Sequence, residues 1–226
     1  MKRTLLALLS LCCISAATLL GSSITIGTDN GSNDFPFSGP FAGYAGTEYQ
    51  EAYASTDFSA PILITGIDFF LGNSFVGTLD SGTYTLSFSI ISAGIGSLSS
   101  TNFSGNLGAD NTVFDTVALS GSAPSVLTFV GTTPFLYDPS QGNLLLNIAV
   151  AGGTGGSEAA YQDGNGSGTE VARYQNFGLD DGVGYGLVTE FDSNSSSAAS
   201  PEPGTLPFLI CGLAGLFVWR LRRRLS

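Results

Sequence analysis

Short segments in which apolar and polar side chains alternate are the feature of this 226-residue chain that most constrains its fold. In residues 83–90, Tyr84, Leu86, Phe88 and Ile90 fall on one face and threonines and serines on the other. Because successive side chains of a strand point to opposite faces, this alternation predicts a half-buried strand. Less regular runs of the same kind are 24–26, 49–54, 62–71, 113–119, 126–130, 144–150, 171–176 and 185–191.

The spacing of these runs predicts an all-β domain. About ten strands, separated by clusters of Gly, Asn, Asp and Ser and without a long helical period, are typical of an antiparallel two-sheet sandwich, here of jelly-roll type. Only 11% of the residues are charged and 31 are glycine, whereas a helical protein uses far more Glu, Lys and Ala. Gly66 and Asp68 interrupt the apolar run 62–71, which predicts a bulge or an edge position there.

Charge divides the chain into three parts. All but one of its 18 acidic residues lie between Thr18 and Ser200, together with a single basic residue, Arg173. So acidic a surface repels phosphate backbones, which argues against nucleic-acid binding and leaves cations or neutral polysaccharides as partners. The three cysteines lie in the two apolar ends, so the acidic part has no disulfide framework.

The N-terminal end has the composition of a secretory signal. Lys2 and Arg3 precede a short apolar run, and small residues follow at Ser15, Ala16 and Ala17. Residues 1–17 are therefore predicted to be a signal peptide, removed after Ala17. The alternative is a permanent N-terminal anchor, for which the run is short of the roughly 20 residues that span a bilayer.

The C-terminal end combines four parts in a fixed order. A Ser/Ala linker, 193–200, precedes Pro201, Glu202 and Pro203, and the prolines hold the backbone extended. A predicted transmembrane helix follows, with an apolar core at 206–219. Arginines then close the chain and are expected to keep its end in the cytoplasm. They are Arg220, Arg222, Arg223 and Arg224.

The tail 201–226 resembles the PEP-CTERM sorting signal of Gram-negative bacteria. The resemblance rests on the Pro-Glu-Pro motif, the short apolar helix and the terminal Arg cluster, in that order. It implies that an exosortase, a membrane protease, recognises the tail and cuts near the motif, and that the protein is associated with exopolysaccharide and biofilm. A simple anchor that is never cut is the alternative, because apolar residues and arginines alone explain anchoring.

The acidic part, a predicted ectodomain over 18–192, lacks the residues that most catalytic sites require. It contains no His, Cys or Lys, so Ser-His-Asp and Cys-His catalysis, Schiff bases and His/Cys zinc sites are excluded. A pair of carboxylates, as in glycoside hydrolysis, remains available to an enzyme. We expect a protein without catalytic activity, because solvated surface acids are the ordinary state of such residues.

A calcium ion is the one cofactor that the sequence suggests. Asp163, Asn165, Ser167 and Glu170 place oxygen-bearing side chains along a Gly-rich stretch, as a calcium loop of EF-hand pattern begins. The twelfth position is Tyr174 instead of Glu, and a Gly-rich hairpin with local turn bonds is the competing interpretation. Residues 29–34 form a weaker candidate of the same kind, which is more naturally a turn.

Aromatic side chains near the N-terminus suggest a further function. Sugar-binding sandwiches stack sugar rings on such side chains, although core filling is the more frequent fate of Phe. The alternative hypotheses for the ectodomain are therefore a calcium-assisted carbohydrate-binding module and a carboxylate-based glycosidase. The aromatic residues are Phe35, Phe37, Phe41, Tyr44 and Tyr49.

Overall fold

The computed structural model of the chain describes residues 22–39, 47–72, 77–157, 159–175 and 182–193. All of them belong to one compact unit, Met1–Ser195, whereas the second unit, Ser196–Ser226, lies outside them. The predicted signal peptide, sorting motif and Arg cluster also fall outside the described residues. Within the described ranges, no helix has the length and apolar character needed to cross a bilayer.

The described residues are mostly β-strand, as the sequence predicted. Short 3-10 helices lie at Ser55–Asp57, Ile95–Ser97, Phe103–Asn106 and Pro139–Gln141. The strands are β1 Ser22–Ile26, β2 Gly31–Asn33, β3 Thr47–Tyr53, β4 Ile62–Phe70, β5 Thr78–Ile91, β6 Thr112–Ser122, β7 Val126–Tyr137, β8 Asn143–Thr154, β9 Tyr161–Asp163, β10 Val171–Gln175, β11 Gly182–Val183 and β12 Thr189–Ser193.

The strands form two main sheets and a small ribbon, and every pairing is antiparallel. The four-stranded sheet has the order β1-β12-β4-β7, and the six-stranded sheet has the order β11-β10-β3-β8-β5-β6. The ribbon pairs β2 with β9. The predicted all-β architecture of antiparallel sheets is thereby confirmed.

The irregularity predicted in β4 is a bulge. The register with β7 shifts between Ile64 and Gly66, and the pairing with β12 shifts at the same point, between Asp192 and Ser193. The strand is not at an edge, because β12 and β7 flank it. A bulge lets one extra residue enter the strand without turning the later side chains away from the core, so Ile67 and Phe69 remain buried.

Aromatic rings from both main sheets meet in one core. Phe88 of β5 lies 5.6 Å from Phe135 of β7 and 6.3 Å from Phe191 of β12, between ring centroids. Phe37, in the loop after β2, is fully buried and lies 5.0 to 6.0 Å from four other rings. Phe37 and Tyr49 therefore fill the core, which is the alternative to sugar stacking; Phe41 and Tyr44 lie outside the described residues.

Part of the outer face of the six-stranded sheet is covered by residues 92–111, the connection between β5 and β6. Ile95, Leu98 and Leu107 pack against the cluster of Ala52, Ile91 and Leu145. The cover also buries Ser87 and Ser89, on the polar face of β5. The expectation of a half-buried strand is wrong at these two positions, because a segment without strand periodicity lies over them.

Two other expectations about local structure need correction. The predicted strand 185–191 begins only at Thr189, because glycines 184 and 186 make close loop contacts with β10 and the 164–167 turn. Residues 29–34, expected to form a turn, contain strand β2, since Gly31 pairs with Asp163. At the end of the domain, Ser193, the first residue of the predicted linker, is the last residue of β12 and pairs with Ser22.

Candidate functional site

The four residues predicted to bind calcium lie at the end of β9 and in the loop that leads to β10, where the structure separates them into two environments. Ser167 and Glu170 line a narrow crevice together with Thr28 and several glycines, and it leaves no free volume for a water molecule. Asp163 instead points toward Arg173, at 3.3 Å between Oδ2 and Nη1. Asn165 is exposed, in a left-handed backbone conformation with φ of 44°.

The carboxylates of this loop accept hydrogen bonds from the protein. Asp163 Oδ1 accepts from the Asn165 backbone N–H at 3.1 Å, an Asx turn. Glu170 accepts from the Thr28 hydroxyl at 2.9 Å and from the Thr169 N–H at 2.5 Å. These bonds and one from its own N–H lower the pKa of Glu170. The local turn bonds of the competing interpretation are therefore present, while calcium binding itself stays a prediction.

Close backbone packing explains why the loop is rich in glycine. A Cβ atom at Gly164 would stand 2.1 Å from the carbonyl oxygen of Gly184. Only glycine permits this approach, which brings the loop before β10 against the loop after β11. Among the described residues, no three His, Cys, Asp or Glu side chains gather in a way that could hold a metal ion.

A buried charge cluster, formed by Glu51, Arg173 and Asp163, is the most unusual feature of the domain. Glu51 and Arg173 are direct partners across β3 and β10. Glu51 is 0% exposed, Arg173 2% and Asp163 4%. Arg173 also lies over the ring of Tyr185, with its guanidinium carbon 5.7 Å from the ring centroid. The single basic residue of the acidic part thus forms an ion pair with Asp163 and lies opposite Glu51 on the neighbouring strand.

Glu51 is held by hydrogen bonds on both carboxylate oxygens. Oε1 accepts from the Tyr49 hydroxyl and from the Leu187 backbone N–H, each at 2.5 Å. Oε2 accepts from the Tyr53 hydroxyl at 2.6 Å and more weakly from Thr189 at 3.5 Å. Three close donors and a facing guanidinium stabilise the ionised carboxylate in the interior.

Burial governs the protonation equilibria of this cluster. Desolvation raises the pKa of Glu51, while the bonds from Tyr49, Tyr53 and Leu187 and the charge of Arg173 lower it in part. The pKa values of both tyrosines are raised by burial and by the adjacent carboxylate. Tyr49 and Tyr53 therefore stay protonated and act as donors at neutral pH.

The cluster ties three parts of the chain together. Glu51 belongs to β3, Arg173 to β10, and the bonded Leu187 and Thr189 lie at the junction that leads into β12 of the other sheet. Because Glu51 and Arg173 are shielded from solvent, they stabilise this junction and do not meet a dissolved substrate.

Sequence reasoning missed Glu51, although two signals pointed to it. Within the predicted strand 49–54, Tyr49, Glu51 and Tyr53 occupy alternate positions, which places an acid between two aromatic rings on one face. Arg173 was evident as the single basic residue of the acidic part. Their pairing was not evident, because it joins strands separated by more than a hundred residues.

A second crevice lies at the β1 edge of the four-stranded sheet. Ser23 and Ile24 of β1, the 58–61 loop and the end of β12 line it, and it encloses about 370 Å³. Of the described residues that line it, none carries a carboxylate, and among those that line the crevice beside β10 only Glu170 does. Neither crevice brings together the two carboxylates that glycoside hydrolysis requires.

Comparison with known proteins adds no relative: no protein-family model, curated protein or solved structure matches the chain.

Proposed function

We propose that the chain is an exported protein of the cell surface or extracellular matrix, without catalytic activity, which is processed through its C-terminal tail. The observation that carries this proposal is the order of signals in the sequence: Pro201, Glu202 and Pro203, then an apolar run, then the Arg cluster that begins at Arg220. The order resembles a PEP-CTERM tail, and an exosortase is the proposed processing partner. Before processing, the apolar run would anchor the protein in the membrane.

We further propose that the exported domain is a jelly roll. Strand order supports this assignment, because β1-β12-β4-β7 in one sheet and β3-β8-β5-β6 in the other are the orders expected when two Greek keys wrap around each other. Strands β10 and β11 extend the second sheet. Jelly rolls serve as rigid display and binding modules in capsid and lectin domains, which suits a matrix protein associated with exopolysaccharide.

The chemistry of the domain supports a role without catalysis. The part of the sequence between Thr18 and Ser200 provides no His, Cys or Lys. Among the described residues, the three most deeply buried carboxylates are Glu51, Asp80 and Asp163, and they are engaged by tyrosine hydroxyls, by the Gly156 backbone N–H and by Arg173, respectively. These buried carboxylates thus have structural partners, whereas a catalytic acid or base must reach a substrate.

Intact-mass analysis of the protein from its native host tests the processing proposal. We expect the mature species to lack the Arg cluster and the apolar run, and a triple alanine variant of residues 201–203 to keep both. A matched variant in the linker, Ser197→Ala, should be processed normally. Retention of Arg220 in the mature form of the unaltered protein would refute processing.

A calcium-assisted carbohydrate-binding module is the second candidate. The observation in its favour is that Ser167 and Glu170, two of the predicted ligands, line one crevice. Calorimetry with Ca²⁺, and with the host's exopolysaccharide in its presence, tests it on wild type and on Glu170→Gln. Asp163→Ala is unsuitable, since it also removes the partner of Arg173. Heat of binding that is measured for the wild type and abolished by Glu170→Gln would support this candidate. Absence of any heat of binding with either ligand would remove it.

A further inference from the structure

The outer faces of the two main sheets differ in how they are covered. Residues 92–111 cover the outer face of the six-stranded sheet around Ala52, Leu145 and Ala172, although Val113 on β6 stays exposed. The four-stranded sheet instead presents large apolar side chains to solvent on β4 and β7, where Leu63 and Leu136 are direct register partners. Four of the six large hydrophobic residues exposed within the described ranges lie here: Leu63 at 41%, Val126 at 39%, Val130 at 53% and Leu136 at 67%.

A row of carboxylates borders these apolar side chains. Glu190 of β12 pairs directly with Asp68 of β4, and Asp192 lies two residues further along β12, on the same face. Such neighbours stand about 5 to 8 Å apart. The repulsion is evident at Asp192, whose pKa is raised by partial burial and by the charges of Asp68 and Glu190. Within the described part of the chain, Asp68 Oδ1 is shielded from solvent and accepts no hydrogen bond.

We propose that this surface, the β4–β7 face, docks a polypeptide segment that carries both apolar and basic side chains. The face is defined by Leu63, Val126, Val130 and Leu136 with the carboxylates of Asp68, Glu190 and Asp192. Burial of the apolar half of the face favours binding, and so does a cation from the partner that relieves the repulsion between neighbouring carboxylates in the acidic half. Charge complementarity thus selects the partner.

Three other occupants fit the face less well. A second copy of the domain, paired through the same face, would bring two acidic rows together, and within the described residues the single basic side chain, Arg173, is buried in the core. An anionic membrane surface would be repelled by the same carboxylates. A polysaccharide would need flat, exposed aromatic rings for stacking; the exposed apolar side chains here are Leu and Val, and the aromatic Phe70, partner of Val126, is only partly exposed.

Fluorescence anisotropy with short labelled peptides tests the proposal on the full chain, held in the same mild detergent throughout. The probe alternates leucine and lysine; one control peptide alternates leucine and glutamate, and another alternates serine and lysine. We expect the Leu/Lys peptide to bind at least tenfold more tightly than either control peptide, because each control lacks one of the two complementary features. Binding should weaken as salt rises.

Matched variants locate the binding on the molecule. Leu63→Ser combined with Leu136→Ser, and separately Asp68→Asn combined with Glu190→Gln, should each weaken binding about tenfold, as expected for central interface residues. The control combines Val113→Ser on β6 with Asp29→Asn, which are exposed residues outside the face. It should leave affinity unchanged within about twofold.

The outcomes separate the proposal from its rivals. Equal binding of the Leu/Lys and Leu/Glu peptides, or equal losses in the face and control variants, would overturn it. Self-association of the wild type that the leucine variants abolish would make the face a homodimer interface instead. Far-ultraviolet circular dichroism and thermal midpoints verify that every variant is folded. If the double leucine variant unfolds, Leu136→Ser alone, at the most exposed position, provides the same comparison.

Discussion

Replacing Arg173 by methionine should destabilise the domain by about 3 to 5 kcal/mol, because it leaves Glu51 and Asp163 as buried charges without their cation. An exposed ion pair would contribute only about 0 to 1 kcal/mol. The larger range applies here, since Glu51 and Arg173 are both at most 2% exposed and Asp163 is 4% exposed. Methionine retains much of the apolar stem of arginine, so the loss of packing is small.

Urea unfolding followed by far-ultraviolet circular dichroism measures this loss. For a domain whose free energy of unfolding is about 5 to 15 kcal/mol and whose m-value is about 2 to 3 kcal/mol/M, the midpoint should fall by about 1 to 2.5 M. Adding Glu51→Gln to Arg173→Met should recover part of the loss, since one of the two orphaned charges is then absent. A coupling free energy above about 1 kcal/mol in the double-mutant cycle is the expected result.

The pH dependence gives an independent test. A carboxyl whose folded pKa is raised, such as Glu51, binds its proton more tightly in the folded than in the unfolded state. Its contribution to stability is therefore fully present below the unfolded pKa and is lost as pH rises through the folded pKa. Removing Arg173 raises that pKa further, so the variant should lose less stability at pH 5 than at pH 8. A loss below about 1 kcal/mol that is independent of pH would refute the argument.

Three further predictions concern the core, the covering segment and the acidic row. Phe37→Ala should lower the free energy of unfolding by about 3 to 5 kcal/mol in urea titrations, because the fully buried ring of Phe37 contacts four other aromatic rings. A loss under about 1 kcal/mol would contradict its place at the centre of the core. Asn106→Ala removes hydrogen bonds to Gln50 and Ser99. Amide hydrogen exchange should therefore accelerate in residues 92–111, while the free energy of unfolding of the whole domain falls by only about 1 to 3 kcal/mol. Unchanged exchange would show that apolar contacts alone hold residues 92–111 against the sheet. Asp68→Asn should lower the pKa of Asp192 toward its ordinary value in a carboxyl NMR titration, and an unchanged pKa would mean that the two side chains do not share a face.

The strands were predictable because alternation is a local property. In residues 83–90 and 144–150 the strands are indicated by apolar side chains two positions apart. Even the bulge in β4 was visible, since Gly66 breaks the apolar run at the point where the register shifts.

What escaped prediction depends on contacts between distant segments. The three-residue strands β2 and β9 are too short for a periodic signal, and they exist because they pair with each other. The cover over β5 comes from residues 92–111, whose sequence has no strand period. At the candidate site, Asp163 and Glu170 were predicted to face one ion, but register places Asp163 beside Arg173 and leaves Glu170 beside Thr28.

The pairing of Ser22 with Ser193 places the entrance and the exit of the domain side by side. Any sequence attached before β1 or after β12 therefore emerges from the same corner. If the chain is tethered through its tail, a pull on that tether acts first on β12, which lies between β1 and β4 and is hydrogen-bonded on both sides. Detaching β12 requires breaking its hydrogen bonds to both β1 and β4, so the strand nearest the tether is held on both sides against the pull.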